Sequence, residues 1–156
     1  MSPILERLTR AGDRIFDLLR HPRAFALNES DAVTGDLNTL RGRRYVVLVT
    51  FRRNGEPVPS TVWAAVGGGR VYVKTAAGVG KMKRVQRDDR VLPAPSTVRG
   101  KPTGVAIRGR CRVLPPEEWP QAEQALRAAY GLARRGSEKI LGRAGEPAYL
   151  EITARS

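Results

Sequence analysis

The sequence predicts a mainly β fold, a small antiparallel barrel with helices at its flanks. Three observations carry that reading. The hydrophobic period shifts from helical to alternating near Tyr45, the first three strand-like runs are joined only by turns, and the longer helical patterns lie on either side of this centre. A parallel βαβ sheet would need a crossover helix between successive strands, and these runs leave no room for one.

Taken in order, residues 3–19 keep an amphipathic helical pattern, with Ile4, Leu5, Leu8, Ile15, Leu18 and Leu19 on one stripe, so that an N-terminal helix is expected within 1–20. Ser2 suits the cap, Pro3 the first helical position, and Pro22 the stop. The polar connection from Arg23 to Arg44 carries no firm pattern; covering the barrel and contacting a second copy both remain open for it. Tyr45–Phe51 is a β-branched buried strand, and Asn54-Gly55 is a hairpin turn leading into a returning strand, Val58–Val66. Gly67-Gly68-Gly69 turns the chain again into Arg70–Thr75, where Val71 and Val73 share one face and Tyr72 and Lys74 the other. Gly78–Asp88 is short and helical in character. Arg90-Val91-Leu92 is strand-like, but Pro93 and Pro95 lack backbone donors and predict an edge or distorted strand. Val105–Leu114 alternates a mostly apolar side with one carrying Arg108, Arg110 and Arg112. A second amphipathic helix is expected over 117–134 and a final strand over 147–153.

At 156 residues the chain has the length of one ordinary domain, read here as a single domain over 1–156 with its barrel core at 45–114. No run approaches the roughly 18 apolar residues of a membrane span. Charges interrupt the N-terminal apolar positions, so no signal sequence is expected, and a cytoplasmic protein is the reading. Cys111 is the sole cysteine and His21 the sole histidine, which leaves neither a multi-thiolate or histidine-rich metal site nor a histidine-based triad much to be built from. Cys111 reads as a structural thiol before a reactive one, and His21 as a turn residue. The formal charge of +13 favours an anionic partner without choosing between nucleic acid, a phosphorylated cofactor and an acidic surface.

The most informative stretch is Tyr72–Arg84, where a strand ends, Gly78 and Gly80 permit close backbone approach, and a basic helix begins. Backbone donors at a helix start, reinforced by lysine, suit a phosphate; a solvated basic helix is the alternative. The spacing fits neither a Walker loop nor a dinucleotide fingerprint.

The ordered set YVVLVTF, RRNGEPVPSTVWAAV, GGGRVYVKTAAGVGKMKRVQRDDRV and RGKPTGVAIRGRCRVL, spanning Tyr45–Leu114, resembles the pyridoxamine-phosphate-oxidase-like family of FMN-binding split β-barrels, in particular its branch dependent on the deazaflavin coenzyme F420. The resemblance implies a homodimeric split β-barrel. It places Pro59, Ser60, Thr61 and Val62 beside the cofactor ring, with Trp63 shaping the pocket or packing in the core. It places Lys74 and Thr75 near the phosphate or ribityl chain, and the phosphate at Gly80 and Lys81 with support from Lys83 and Arg84. The sequence departs from the family pattern at Val79, often serine; at Ser60-Thr61, usually threonine-proline; and at Pro93 and Ser96.

The implied activity is hydride transfer from reduced F420 to a conjugated or quinone-like small molecule. That chemistry needs close stacking of donor and acceptor rather than a protein nucleophile. FMN is the alternative cofactor, and a flavin or deazaflavin carrier without turnover is a further alternative. A basic nucleic-acid-binding barrel is the rival from another class, weakened by an aromatic content of only 6% that leaves few bases a stacking partner. No specific nucleic-acid partner and no integral membrane association are expected.

Overall fold

Both faces of the first strand are apolar because both are covered, one by the barrel interior and one by an outer layer of chain. The computed structural model describes residues 22–130 and 146–156; the expected helix at 3–19, His21 and residues 131–134 of the second expected helix lie outside them. Six strands close in the order β1-β2-β3-β6-β5-β4, every pairing antiparallel: β1 Tyr45–Phe51, β2 Pro57–Gly67, β3 Arg70–Ala76, β4 Arg90–Ser96, β5 Gly109–Val113 and β6 Pro147–Ala154. Helix α1 spans Gly80–Arg87, and α2 spans Trp119–Tyr130 after a 3-10 turn at Pro116–Glu118.

The turns form where glycine permits them. Gly55 adopts φ +87°, with its N–H donated to the Arg52 carbonyl at 2.9 Å, and Gly68 and Gly69 both take positive φ in the next hairpin. Strand alternation then sorts the side chains. Val46, Leu48, Val62, Ala64, Val71, Val73, Leu150 and Ile152 fill the barrel, with Met82 and Val85 of α1 packed into the same cluster. Leu37 and Leu40, from a 3-10 turn at Leu37–Leu40, join that cluster beside the β2–β3 hairpin. On the outer faces, α2 lays Ala122 and Leu126 over Tyr72 and Tyr149, while Ala24, Ala32 and Ala106 cover Val47, Val49, Leu92 and Ala94.

The 23–44 connection is therefore ordered cover for the β1–β4 outer face. Covering the barrel was one of the two roles left open for it, and no firm pattern showed because its buried residues are few and irregularly spaced. Glu29 fastens it down: its carboxylate accepts two hydrogen bonds from the Arg155 guanidinium, at 2.5 and 2.9 Å.

Around Pro93 and Pro95 β4 keeps a strand partner on one side only, as expected of an edge or distorted strand, whereas β5 differs from expectation. β4 runs through both prolines, since its carbonyls at Pro93 and Pro95 accept from Ile107 and Thr103 on the side away from β1, where the missing N–H groups would have pointed. β5 begins only at Gly109. Val105 is exposed whereas Ala106 and Ile107 are both buried, so the alternation expected from Val105 does not hold before Gly109. Val33 replaces a strand partner there, forming a parallel bridge to Ile107.

Candidate functional site

The segment singled out by its glycines and lysines closes one end of the barrel. β3 ends at Ala76, the chain turns, and α1 starts at Gly80 with Val79 as a cap that makes no side-chain hydrogen bond. Met82 and Val85 anchor the helix in the barrel core, which turns Lys83 outward to solvent and leaves Lys81 and Arg84 half-buried.

Arg84 folds back along its own helix. Its Nε donates to Thr50 Oγ1 at 2.6 Å, and its Nη1 lies 2.8 Å from where a Cβ on Gly80 would stand. Only glycine at position 80 leaves the guanidinium that space. A fixed positive charge therefore lies over the first turn of α1, where the helix dipole also favours an anion. Thr50 is buried at the end of β1 and pairs with Val58, so this charge lies beside the start of β2. Nearby, Arg87 Nη2 donates to the Phe51 carbonyl at 3.1 Å, which leaves its charge uncompensated by that contact.

On β2 the four expected ring neighbours divide by alternation. Ser60 and Val62 pair with Leu48 and Val46 on the barrel-facing side. Pro59 and Thr61 pair with Val49 and Val47 on the outer side. The barrel-facing side is filled by the core, and Pro59, Ser60 and Val62 are all buried, so of the four only half-buried Thr61 on the outer side is open to a ring. Above Thr61 passes the tight turn Thr97–Gly100, closed by the Gly100 N–H donating to the Thr97 carbonyl at 2.9 Å. Gly100 has φ +82°, and a Cβ there would come within 2.6 Å of Thr61 Oγ1.

Lys74 and Thr75 also part company. Thr75 is buried with β3's inward residues, whereas Lys74 lies under α2, its Nζ 3.8 Å from Glu123 and 5.5 Å from the Tyr149 ring centroid. Lys74 is thus engaged on the outer face of the sheet rather than turned with Thr75. Along α2 itself runs an open depression of about 610 Å³, lined by Pro120, Glu123, Gln124, Arg127 and Ala128. It is a groove on one helix and not an extension of the α1 end.

An aromatic cluster near the other end of the same strands carried little signal in the sequence. Trp63 stacks on Tyr130 at 5.1 Å between centroids and meets Tyr45 edge-on at 6.3 Å. The Tyr130 hydroxyl has the Arg44 carbonyl at 2.8 Å and the Ala64 carbonyl also within reach, and burial pushes the phenol up to about 12.

Cys111 is buried, and that burial raises its thiol to about 12, which suits packing and not reactivity. The arginines expected to form one cationic row are each engaged. Arg108 Nε lies 3.8 Å from Glu29, Arg110 Nε lies 3.2 Å from Asp89, and Arg112 bridges Glu118 at 2.7 Å and Glu151 at 3.1 Å. Among the described residues no group of three or more His, Cys, Asp or Glu side chains could hold a metal, and no helix is long and apolar enough to cross a membrane.

No family model matches the chain, and no curated protein does. Solved structures do. A conserved hypothetical protein of Mycobacterium tuberculosis superposes with a TM-score of 0.57 at 19% identity, covering 83% of this chain and 86% of its own. A FAD-binding protein of Mesorhizobium loti gives 0.55 at 15% identity, covering 75% and 83%. The heme storage protein of Vibrio cholerae gives 0.54 at 11% identity, covering 73% and 83%. At these identities the likeness shows the fold, a split β-barrel.

Proposed function

We propose that this split barrel binds a deazaflavin, coenzyme F420, and acts as a homodimeric oxidoreductase. The observation that carries the reading is the Arg84 guanidinium folded over the first turn of α1 beside Gly80 and tied to Thr50. The donor set fits a phosphate group: a helix start, a glycine that makes room for a guanidinium over it, and two half-buried cations, Lys81 and Arg84. The FAD-binding neighbour of the same fold adds support for a flavin-type ligand.

In this reading Lys81 and Arg84 hold the phosphate, with exposed Lys83 and Arg87 extending the positive surface beyond it. That extension favours F420, whose phosphodiester carries a polyglutamate tail, over the compact phosphate of FMN. Between Glu56 and Asp88 the sequence has no acidic residue to oppose such a tail. The ring packs at the outer edge of β2 beside half-buried Thr61, and the Gly100 turn, which rests on Thr61, screens that edge from water.

Bound in its reduced form, F420 supplies a hydride that, with a proton from solvent, reduces a quinone-type acceptor to the hydroquinone. The chain's own task is to neutralise the phosphate, orient the ring against β2 and keep the acceptor in contact with it.

The dimer forms through the covered β1–β2–β4 side. Phe25, Val33, Val98 and Val105, the large hydrophobic side chains exposed among the described residues, all belong to segments lying over that side. Titration of F420 and FMN against the purified protein, with sedimentation of the same samples, tests both parts. Tighter F420 binding by a twofold dimer is expected; preference for FMN, or a cofactor-loaded monomer at micromolar concentration, contradicts the corresponding part.

A further inference from the structure

The geometry points to a separate site for the hydride acceptor, on the Trp63–Tyr130 stack, selective for planar aromatic molecules that carry negative charge. As an acceptor site it rests on the reductase reading above; as a binding site it stands on its own geometry.

Trp63 lies two residues along β2 from Thr61 and on the same outer face, so it flanks the surface assigned to the cofactor ring. The indole is half-buried, fixed by Tyr130 across one face and Tyr45 at its edge. Tyr130 cannot swing away cheaply, because its hydroxyl is held by the Arg44 and Ala64 carbonyls. A rigid, partly exposed aromatic surface is a stacking platform for one planar ligand.

Three cations lie on the segments beside it. Arg44 directly precedes Tyr45, and its backbone carries the Tyr130 contact while its side chain is exposed. Ser96 pairs with Tyr45, and the turn that follows brings Gly100 over Thr61, with exposed Arg99 and Lys101 on either side of that glycine. Among the described residues none of these three cations is in an ion pair, in contrast to the paired Arg108, Arg110 and Arg112. From Arg90 to Pro116 the chain contains no acidic residue, so this turn has none of its own to offset the charge. An aromatic platform edged by unpaired cations favours a flat anion over a flat neutral molecule. A single platform beside a ring site suits one small ligand better than the successive bases of a nucleic acid, which need several.

The test compares anthraquinone-2-sulfonate with neutral 2-(hydroxymethyl)anthraquinone by calorimetry and tryptophan quenching, using the full chain without cofactor. The sulfonate is expected to bind roughly tenfold more tightly, the sum of a few exposed charge contacts. In the exposed-residue variant R44A/R99A/K101A that preference should vanish while the neutral probe is unaffected. Quenching should survive Trp119→Phe and be lost in Trp63→Phe. Equal affinity for the two probes, a preference retained in the triple variant, or displacement of the sulfonate by an oligo-dT strand that binds more tightly than it does, overturns the inference. F420 titrated into the same samples separates the two readings. F420 binding without charge preference removes only the acceptor site. Charge preference without F420 binding removes the reductase reading and leaves an anion-selective aromatic site.

Discussion

Arg84 Nε donates to Thr50 Oγ1 at 2.6 Å, joining the first helix after the third strand to the far end of the first strand. The bond fixes the guanidinium where the phosphate is proposed to bind, so its loss should be felt in affinity more than in folding. Thr50→Val removes the acceptor at near-constant volume. Because this bond positions the guanidinium and does not itself touch the ligand, roughly a 2- to 10-fold weakening of F420 binding is expected. Gly80→Ala, whose Cβ would displace the same guanidinium, should do likewise. Fluorescence titration of both variants checks this, with unchanged affinity in both counting against Arg84 as a phosphate contact.

Lys81 should contribute more. Val79 offers no hydroxyl at the cap, so little else at the helix start can take over. A charge-assisted contact is worth about 1.5–3 kcal/mol, and Lys81→Ala should weaken F420 roughly 10- to 150-fold. Lys83→Ala, at an exposed position, should cost far less. Equal losses in the two variants would point to diffuse charge instead of a defined phosphate site.

Much of this architecture was legible from pattern alone, and the physical reason is the same wherever it was not. β1, the Asn54-Gly55 hairpin and the Gly67–Gly69 turn are local, written in side-chain period and in glycines that take positive φ. β4 could be seen up to Leu92 and expected as an edge or distorted strand at Pro93 and Pro95, but pattern could not show that the 103–107 segment, which lacks a strand period, satisfies their carbonyls. At the site, the helix start at Gly80–Arg84 was visible, whereas its link to Thr50 is a long-range contact that no spacing encodes. The opposed directions of Lys74 and Thr75 and of Ser60 and Thr61 follow from strand alternation, a period-2 rule the sequence already carried. The Trp63–Tyr130 stack depends on α2 reaching back to β2 and left only Trp63 as a hint.

The Gly100 turn should prove sensitive to a single methyl group. Gly100→Ala would combine a left-handed conformation with a Cβ lying 2.6 Å from Thr61 Oγ1, and the conformational part alone costs about 1–2 kcal/mol. Adding Thr61→Ala relieves the contact but not the backbone strain. Denaturant melts of the two single variants and the pair should show a positive coupling with incomplete recovery. Additive losses would mean that the turn does not rest on Thr61.

Alkaline pH should destabilise the fold in a window set by two buried acids. Burial raises both the Cys111 thiol and the Tyr130 phenol to about 12, so the fold favours their neutral forms. Such a contribution is complete below the unfolded values, near pH 8.5 for cysteine and 10 for tyrosine, and is lost as pH rises from there toward the folded value near 12. Urea melts between pH 8 and pH 11 should therefore show falling stability. Tyr130→Phe should cost about 1 kcal/mol at neutral pH through the lost carbonyl contact, and should flatten the decline above about pH 10. An unchanged slope in that variant would assign the decline elsewhere.

The central claim is that the basic helix start holds the phosphate of a deazaflavin, and the most direct measurement is a calorimetric titration of wild type and Lys81→Ala with F420 and with FMN. The account predicts F420 binding at micromolar affinity or tighter, weaker FMN binding, and a loss of roughly 10- to 150-fold for F420 in the variant. No F420 binding, or F420 binding that Lys81→Ala leaves unchanged, would contradict it.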